Sequence, residues 1–347
     1  MQPDSTLPGS RGLMRTEGGE KMKKIVKGLF AVMLVGVMSL FYGVAAAQSY
    51  PTKPIRLIIP FPPGGGNDIT GRQITAKLYE RLGWQIIVEN RAGAGSVIGT
   101  EMVARSEPDG YTLLMVATAF TSNPSLKKKV PYDPIKSFTP VIKLSNAPGV
   151  LVVHPSLPVN SVKELIALAK KKPSELVFAS AGNGTHNHLG GELFRLMAGI
   201  DVKIVQFKGG GPSIVDLLGG HSQLSFGSLV QFMPHIKSGR LKVLGTGGLK
   251  PNPALPGVPT ISEAALPGYD VGVFFGILAP AGTPKAIVEK LHKEISAILA
   301  LEEIRKAFRD QGAEAENMSS AEFGQFIAEE SAKWARLIKE AGIKQEE

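Results

Sequence analysis

Cysteine is absent from all 347 residues of this chain. That absence excludes disulfides, thiol catalysis, cysteine–zinc sites and a lipid-modified cysteine anchor. Tryptophan occurs twice and aromatic residues amount to 7%, so most of any core must be aliphatic. Catalytic signatures are missing too: there is no Gly-x-Ser-x-Gly elbow, no His-Glu-x-x-His helix and no carboxylate pair beside a candidate base. The longest apolar run, residues 28–44, is preceded by Lys21, Lys23, Lys24 and Lys27 and followed by Ala45-Ala46-Ala47. This order of basic, apolar and small residues is that of a secretory signal, with cleavage placed after Ala47. A retained membrane anchor is the other reading, because the run approaches the length of a span. Residues 1–20 fit no part of such a signal, which leaves Met1, Met14 and Met22 as alternative starts.

With 43% apolar residues, the remainder is long enough for one large core or two medium ones. The formal charge of +9 falls to about +6 without residues 1–47, which carry six Lys/Arg and three Asp/Glu. The triplets Lys127-Lys128-Lys129 and Lys170-Lys171-Lys172 stand at element ends and read as solvated faces, so no nucleic-acid partner is expected. A mild positive excess still draws small anions.

From Pro54 onward, short apolar runs alternate with helical patterns, the signature of an α/β chain with a parallel sheet. Strands are predicted at 55–60, 85–89 and 112–117, with helices at 68–82 and 96–105 and a long extended segment at 139–154. A second α/β set follows. Its first helix is capped by Ser161 with Glu164 and stopped by Pro173; strands at 176–179, 202–206, 223–226 and 243–245 alternate with helices at 189–197, 212–218 and 231–238. Another extended segment, 271–280, leads back.

The tail is helical. Thr283-Pro284 predicts an N-cap and a first-turn proline for a helix to Ala300, and Ser319 with Glu322 caps a last helix ended by Gly342. In that last helix Phe323, Phe326, Ile327, Trp334, Leu337, Ile338 and Ala341 keep helical spacing and read as core packing. With no strands of its own, the tail is expected to pack on the first α/β set. Two crossings then give a discontinuous first domain, 50–149 plus 270–347, and a continuous second, 150–269, with a ligand cleft between them.

Two glycine-rich turns carry the strongest functional signal: Phe61-Pro62-Pro63-Gly64-Gly65-Gly66-Asn67-Asp68 and Ser180-Ala181-Gly182-Asn183-Gly184-Thr185. Each follows a strand and opens a helix, so main-chain N–H groups and a helix N-terminus cradle an anion at one spot. Arg72 and Gln73 stand where a phosphate loop needs Lys and Ser/Thr, which argues against nucleotide hydrolysis. Gly93, Gly95 and Gly99 imitate a dinucleotide fingerprint, yet Thr118 stands where the ribose-binding acid belongs, so they read as a tight turn. Thr118, Thr121 and Ser122 at a strand end form a candidate third wall. A further turn, Lys208-Gly209-Gly210-Gly211-Pro212, supplies Lys208 as a candidate counter-ion; Asp216 on the helix it opens would bind an ammonium or fix the turn. His186 and His188 diverge on a helix with no carboxylate beside them, so no metal is expected, and His188 is a candidate donor at the cleft.

The segments "YPTKPIRLIIPFPPGGGNDITGR", "VENRAGAGSVIGTEMVARSEPDGYTLLM", "YDPIKSFTPV", "ASAGNGTHNHLGGELF", "GILAPAGTP" and "HKEISAIL" follow in this order. Together they resemble the periplasmic receptors of tripartite tricarboxylate transporters, the Bug family, from Tyr50 to the last helix. The resemblance implies a two-lobed type II periplasmic-binding-protein fold, an exported monomer, no catalysis and no cofactor. It also implies delivery of a small organic carboxylate to the large and small membrane subunits of an ion-driven permease. Ligand contacts are implied for Pro63, Gly64, Gly65, Gly66, Asn67 and Asp68, for Ser180, Ala181, Gly182, Asn183, Gly184 and Thr185, often through ordered water, and for Thr118, Thr121 and Ser122. Two positions depart from the family pattern: Ser225 replaces a common aspartate, and Phe274-Phe275 stands where a tryptophan is usual. A two-lobed periplasmic enzyme and a ligand-dependent sensor acting on organic acids are the alternative readings.

Overall fold

The structure, a computed structural model, describes residues 50–340 and 342–343. The candidate signal, its cleavage box and Ala341 lie outside them. From Pro51 onward the chain forms one compact unit.

In its first part β1 (Ile55–Ile59), β2 (Ile86–Asn90) and β3 (Thr112–Val116) pair in parallel, with β1 in the middle. β3 is buried throughout, as a strand covered on both faces must be. Helix α1 (Gly66–Leu82) returns the chain from β1 to β2 and ends at Gly83. A single 3-10 turn (Ala94–Ser96) leads into α2 (Val97–Ala104). After β3 the candidate third wall, placed at a strand end by the sequence, is helix α3 (Thr118–Leu126). Pro124 sits in its last turn, where its missing N–H costs only the bond to Phe120 O.

The sixteen-residue strand β4 (Phe138–Val153) is shared by two sheets. As far as Pro148 it pairs antiparallel with β9 (Gly272–Pro280), which also pairs antiparallel with β3. From Gly149 it pairs antiparallel with β7 (Leu224–Ser228) and β8 (Lys242–Thr246). Between β4 and β9 the chain runs through α4 (Val162–Lys171), β5 (Val177–Ser180), α5 (His186–Ala198), β6 (Lys203–Gln206), α6 (Gly210–Leu218), β7, α7 (Leu229–Lys237), β8 and α8 (Ile261–Ala264). The strand order is β2-β1-β3-β9-β4-β7-β5-β6. Alternation along β4 sends Val150 and Val152 into one layer with Phe232, and Leu151 and Val153 into another with Phe178 and Phe226.

The tail comprises α9 (Lys285–Leu299), α10 (Glu302–Asp310), β10 (Glu314–Ala315, antiparallel on β4) and α11 (Ser320–Glu340). Pro284 precedes α9 instead of opening it, since its ψ of 133° is extended, and the Thr283 hydroxyl donates to Pro280 O rather than capping the helix. The Ser319–Glu322 capping box forms in both directions. The packing of α11 differs from expectation. Phe323 and Ile327 join the core of the first sheet, but Trp334 and Ile338 join the core of the second. An 11-residue step along a helix covers about 16 Å, so one helix reaches both cores.

Candidate functional site

Five helices start around one cleft. α1 and α3 come from the first sheet, α5, α6 and α7 from the second, and their opening turns supply Gly65, Gly66, Asn67, Ala117, Ala119, Thr185, His186, Asn187, Gly210 and Gln231 to its lining. Phe61, Ala181 and Phe275 complete it, and none of these thirteen side chains carries a formal charge at neutral pH. The space measures about 410 Å³ counting its open mouth. Gly65, Ala117, Gly209 and Ser228 are the N-caps of α1, α3, α6 and α7, and none of them forms a side-chain cap. The first N–H groups of these four helices therefore lack a side-chain acceptor, and each helix end adds the positive pole of its macrodipole.

Local chemistry shapes the two turns. In the first, the Asp68 carboxylate accepts from Gly64 N at 3.1 Å, Asn90 Nδ2 at 3.0 Å and Arg72 Nε at 2.9 Å, pulling the turn against α1. In the second, Gly182 and Gly184 take φ of 111° and 76°, a region that favours glycine. The Thr185 hydroxyl donates to Gly182 O at 2.6 Å and accepts from His188 N at 3.2 Å, so it caps α5 and closes the turn with one atom.

The cleft is bounded by contacts between the two sets of elements. At one edge a Cβ on Gly211 would lie 2.3 Å from Pro63 O, and a Cβ on Gly209 2.4 Å from Pro62 Cδ. At the other a Cβ on Gly95 would lie 2.6 Å from Asn183 O, while Ser122 Oγ donates to Gly184 O at 2.6 Å. Main chain meets main chain at both edges, and side chains larger than hydrogen are excluded there.

The predicted residues divide accordingly. Gly65, Gly66, Asn67, Ala181 and Thr185 line the cleft. Pro63, Gly64, Asn183 and Gly184 stand at its edges, and Ser180 accepts from Gly182 N beneath the second turn. Asp68 acts on its own turn. Thr118 opens α3; the Thr121 hydroxyl donates to Thr118 O and that of Ser122 to Gly184 O, so the hydroxyls of Thr121 and Ser122 satisfy backbone carbonyls rather than facing the cleft. Lys208 is exposed and outside the lining, and Asp216 accepts from the Ser222 hydroxyl, a structural use. The histidine that faces the cleft is His186, not His188, whose Nδ1 accepts from Gly184 N. A residue two positions along a helix points elsewhere.

Asn187 and Gln231 escaped sequence reasoning; His186 was weighed only as a metal ligand, Phe61 was named within the first glycine-rich turn, and Phe275 as a departure from the family pattern. For Asn187 and Gln231 the available signal was their position in the first turn of a helix. Burial pulls the His186 imidazole down from its ordinary 6.5 to about 3, so it is neutral at pH 7. Its Nε2 has no hydrogen-bond partner; neither do Asn67 Nδ2, Asn187 Nδ2, Gln231 Nε2 and Ser228 Oγ.

A family model described as the tripartite tricarboxylate transporter family receptor matches residues 70–343. The chain belongs to this receptor family. It is 36% identical over 316 residues to the protein BugT of Bordetella pertussis, spanning 90% of this chain and 97% of that one. Among solved structures, R. palustris Rpa4515 with adipate superposes with a TM-score of 0.83 at 34% identity, covering 86% of this chain and all of that one. MatC from Rhodopseudomonas palustris with bound malate gives a TM-score of 0.79 at 31% identity, covering 83% of this chain and all of that one. These matches establish the two-lobed periplasmic-binding-protein architecture and a solute-binding role, in a family of receptors rather than enzymes. Among the described residues no helix is long and apolar enough to cross a membrane.

Proposed function

We propose that this receptor captures a small organic carboxylate in the charge-free cleft between a lobe formed by 50–149 plus 270–347 and a lobe formed by 150–269. On this reading the protein is exported, loses its signal near Ala47, and delivers its cargo as a monomer to the large and small membrane subunits of a tripartite permease. The observation that carries the carboxylate assignment is the convergence of four uncapped helix starts on a cleft without charged lining. A hydrogen bond to a charged group contributes roughly 1.5–3 kcal/mol, and a helix N-terminus about 0.3–1 kcal/mol. Three or four such bonds, less the cost of association, reach the roughly 8 kcal/mol of micromolar affinity. No arginine clamp is needed. Relatives solved with adipate and with malate support the same chemistry.

Gly65→Leu tests it. Gly65 has φ −83° and ψ 169°, which any residue adopts, and a Cβ there meets nothing nearer than 3.9 Å, so the longer side chain enters the cleft without backbone strain. A thermal-shift screen of organic acids followed by titration calorimetry is expected to find binding in the wild type. In the variant the melting temperature is retained and affinity falls at least 100-fold. Unchanged affinity rejects the cradle.

A further inference from the structure

One buried hydrogen bond spans an edge of the cleft from the first set of elements to the second. Ser122 of α3 is 0% exposed, and its hydroxyl donates to Gly184 O at 2.6 Å. Asn123, equally buried, backs the same contact. Its Nδ2 donates to Gly95 O at 2.8 Å and to Ser96 Oγ at 3.2 Å, holding that turn against Asn183, and its Oδ1 would lie 2.5 Å from a Cβ on Gly184. Gly184 belongs to the turn that Thr185 closes at the start of α5. The opposite edge is built differently. Pro62 and Pro63 abut Gly209 and Gly211 there, and among the described residues no hydrogen bond joins the two sides. The cleft is pinned at one edge and merely touching at the other.

We infer that Ser122 is the latch of this cleft, a positioning residue that holds the two lobes together over cargo without touching it. The inference rests on the cleft proposed above between a lobe that carries Ser122 and a lobe that carries Gly184, joined through β4. When such lobes part, the bond breaks and water takes both groups; a contact made only in the closed form favours that form alone. Removing the hydroxyl leaves Gly184 O buried without this donor in the closed form, which costs more than the net worth of the bond. Cargo that needs the closed form then binds more weakly, in proportion to the closed population lost. Because the latch engages after cargo has entered, the loss falls on dissociation rather than association.

The test is stopped-flow kinetics and calorimetric titration of the full chain with adipate and with malate. Ser122→Ala is expected to speed dissociation about 10-fold while association stays within about 2-fold. Ser122→Thr and Ser122→Val have nearly the same shape and differ by the hydroxyl, so cargo should leave the Thr variant about 5-fold more slowly than the Val variant. A residue that merely fills space predicts equal rates for that pair, and equal rates overturn the latch. So does an unchanged dissociation rate in Ser122→Ala, or a loss of affinity that falls on association. If neither acid binds the wild type, the carboxylate reading loses its support, and small-angle scattering of the ligand-free chains decides the latch separately. The radius of gyration should then be larger in Ser122→Ala than in wild type, and equal radii overturn the proposal.

Discussion

His186 shows what burial does to a single residue at the cleft. It opens α5, lies 9% exposed and is held neutral by desolvation, with its pKa at about 3 against an ordinary 6.5. The unfolded chain therefore binds a proton in that window that the folded chain refuses, and stability must rise with pH there. The contribution is complete above 6.5 and is lost as pH falls toward 3, at about 1.4 kcal/mol per pH unit. Denaturant unfolding at pH 7 and pH 4 is expected to show wild type losing about 3 kcal/mol more than His186→Gln over that range. Equal losses would remove the buried neutral imidazole. At this scale the sequence was only partly legible. The glycines and Thr185 announced a turn opening a helix, but Lys208 and Asp216 attracted attention by charge and lie outside the cleft lining. The side chains that enter are neutral, and nothing in an Asn or Gln taken singly distinguishes a ligand contact from a surface amide.

Strand β4 and the tail elements fasten to each other through one buried charge. Lys143 on β4 is 3% exposed, pairs with Glu316 Oε2 at 2.8 Å and lies 3.7 Å from the centre of the Phe326 ring on α11. Removing the anion strands the ammonium, a loss of about 3 kcal/mol for a buried pair. Glu316→Gln is accordingly expected to lower unfolding free energy by that amount in urea titration, whereas Lys143→Met with Glu316→Gln should recover most of it. Strands and long helices were legible because apolar periodicity reports burial directly. α10 and β10 were not: a two-residue strand has no period, and the charged surface of Glu302–Asp310 hides the two buried residues, Ile304 and Phe308, that hold it. The helical nature of α3 was hidden by Pro124, which reads as a breaker although it stands in the final turn.

The whole molecule is built so that two sheets share one strand and one helix reaches both cores. β4 and β9 were readable as long extended segments. The reach of α11 was not, because a stripe of Phe323, Ile327, Trp334 and Ile338 says that a face is buried and not against what. If the lobes close on cargo about β4, protection must appear on both of them. Hydrogen exchange with a saturating acid chosen by thermal shift is expected to slow at 64–67, 181–188 and 209–212 and to remain unchanged in α9. Slowing confined to one side would mean that a single lobe carries the whole interaction.

The neutrality of the cleft has a consequence for turnover of cargo. A pocket built around an arginine is left with a bare cation whenever it empties, and something must hydrate or re-pair that ion. If a carboxylate is held as proposed, the holding groups are dipoles anchored in the main chain, and its departure exposes N–H groups that water satisfies. Loading and emptying then differ little in electrostatic work, which suits a carrier whose task is to let go.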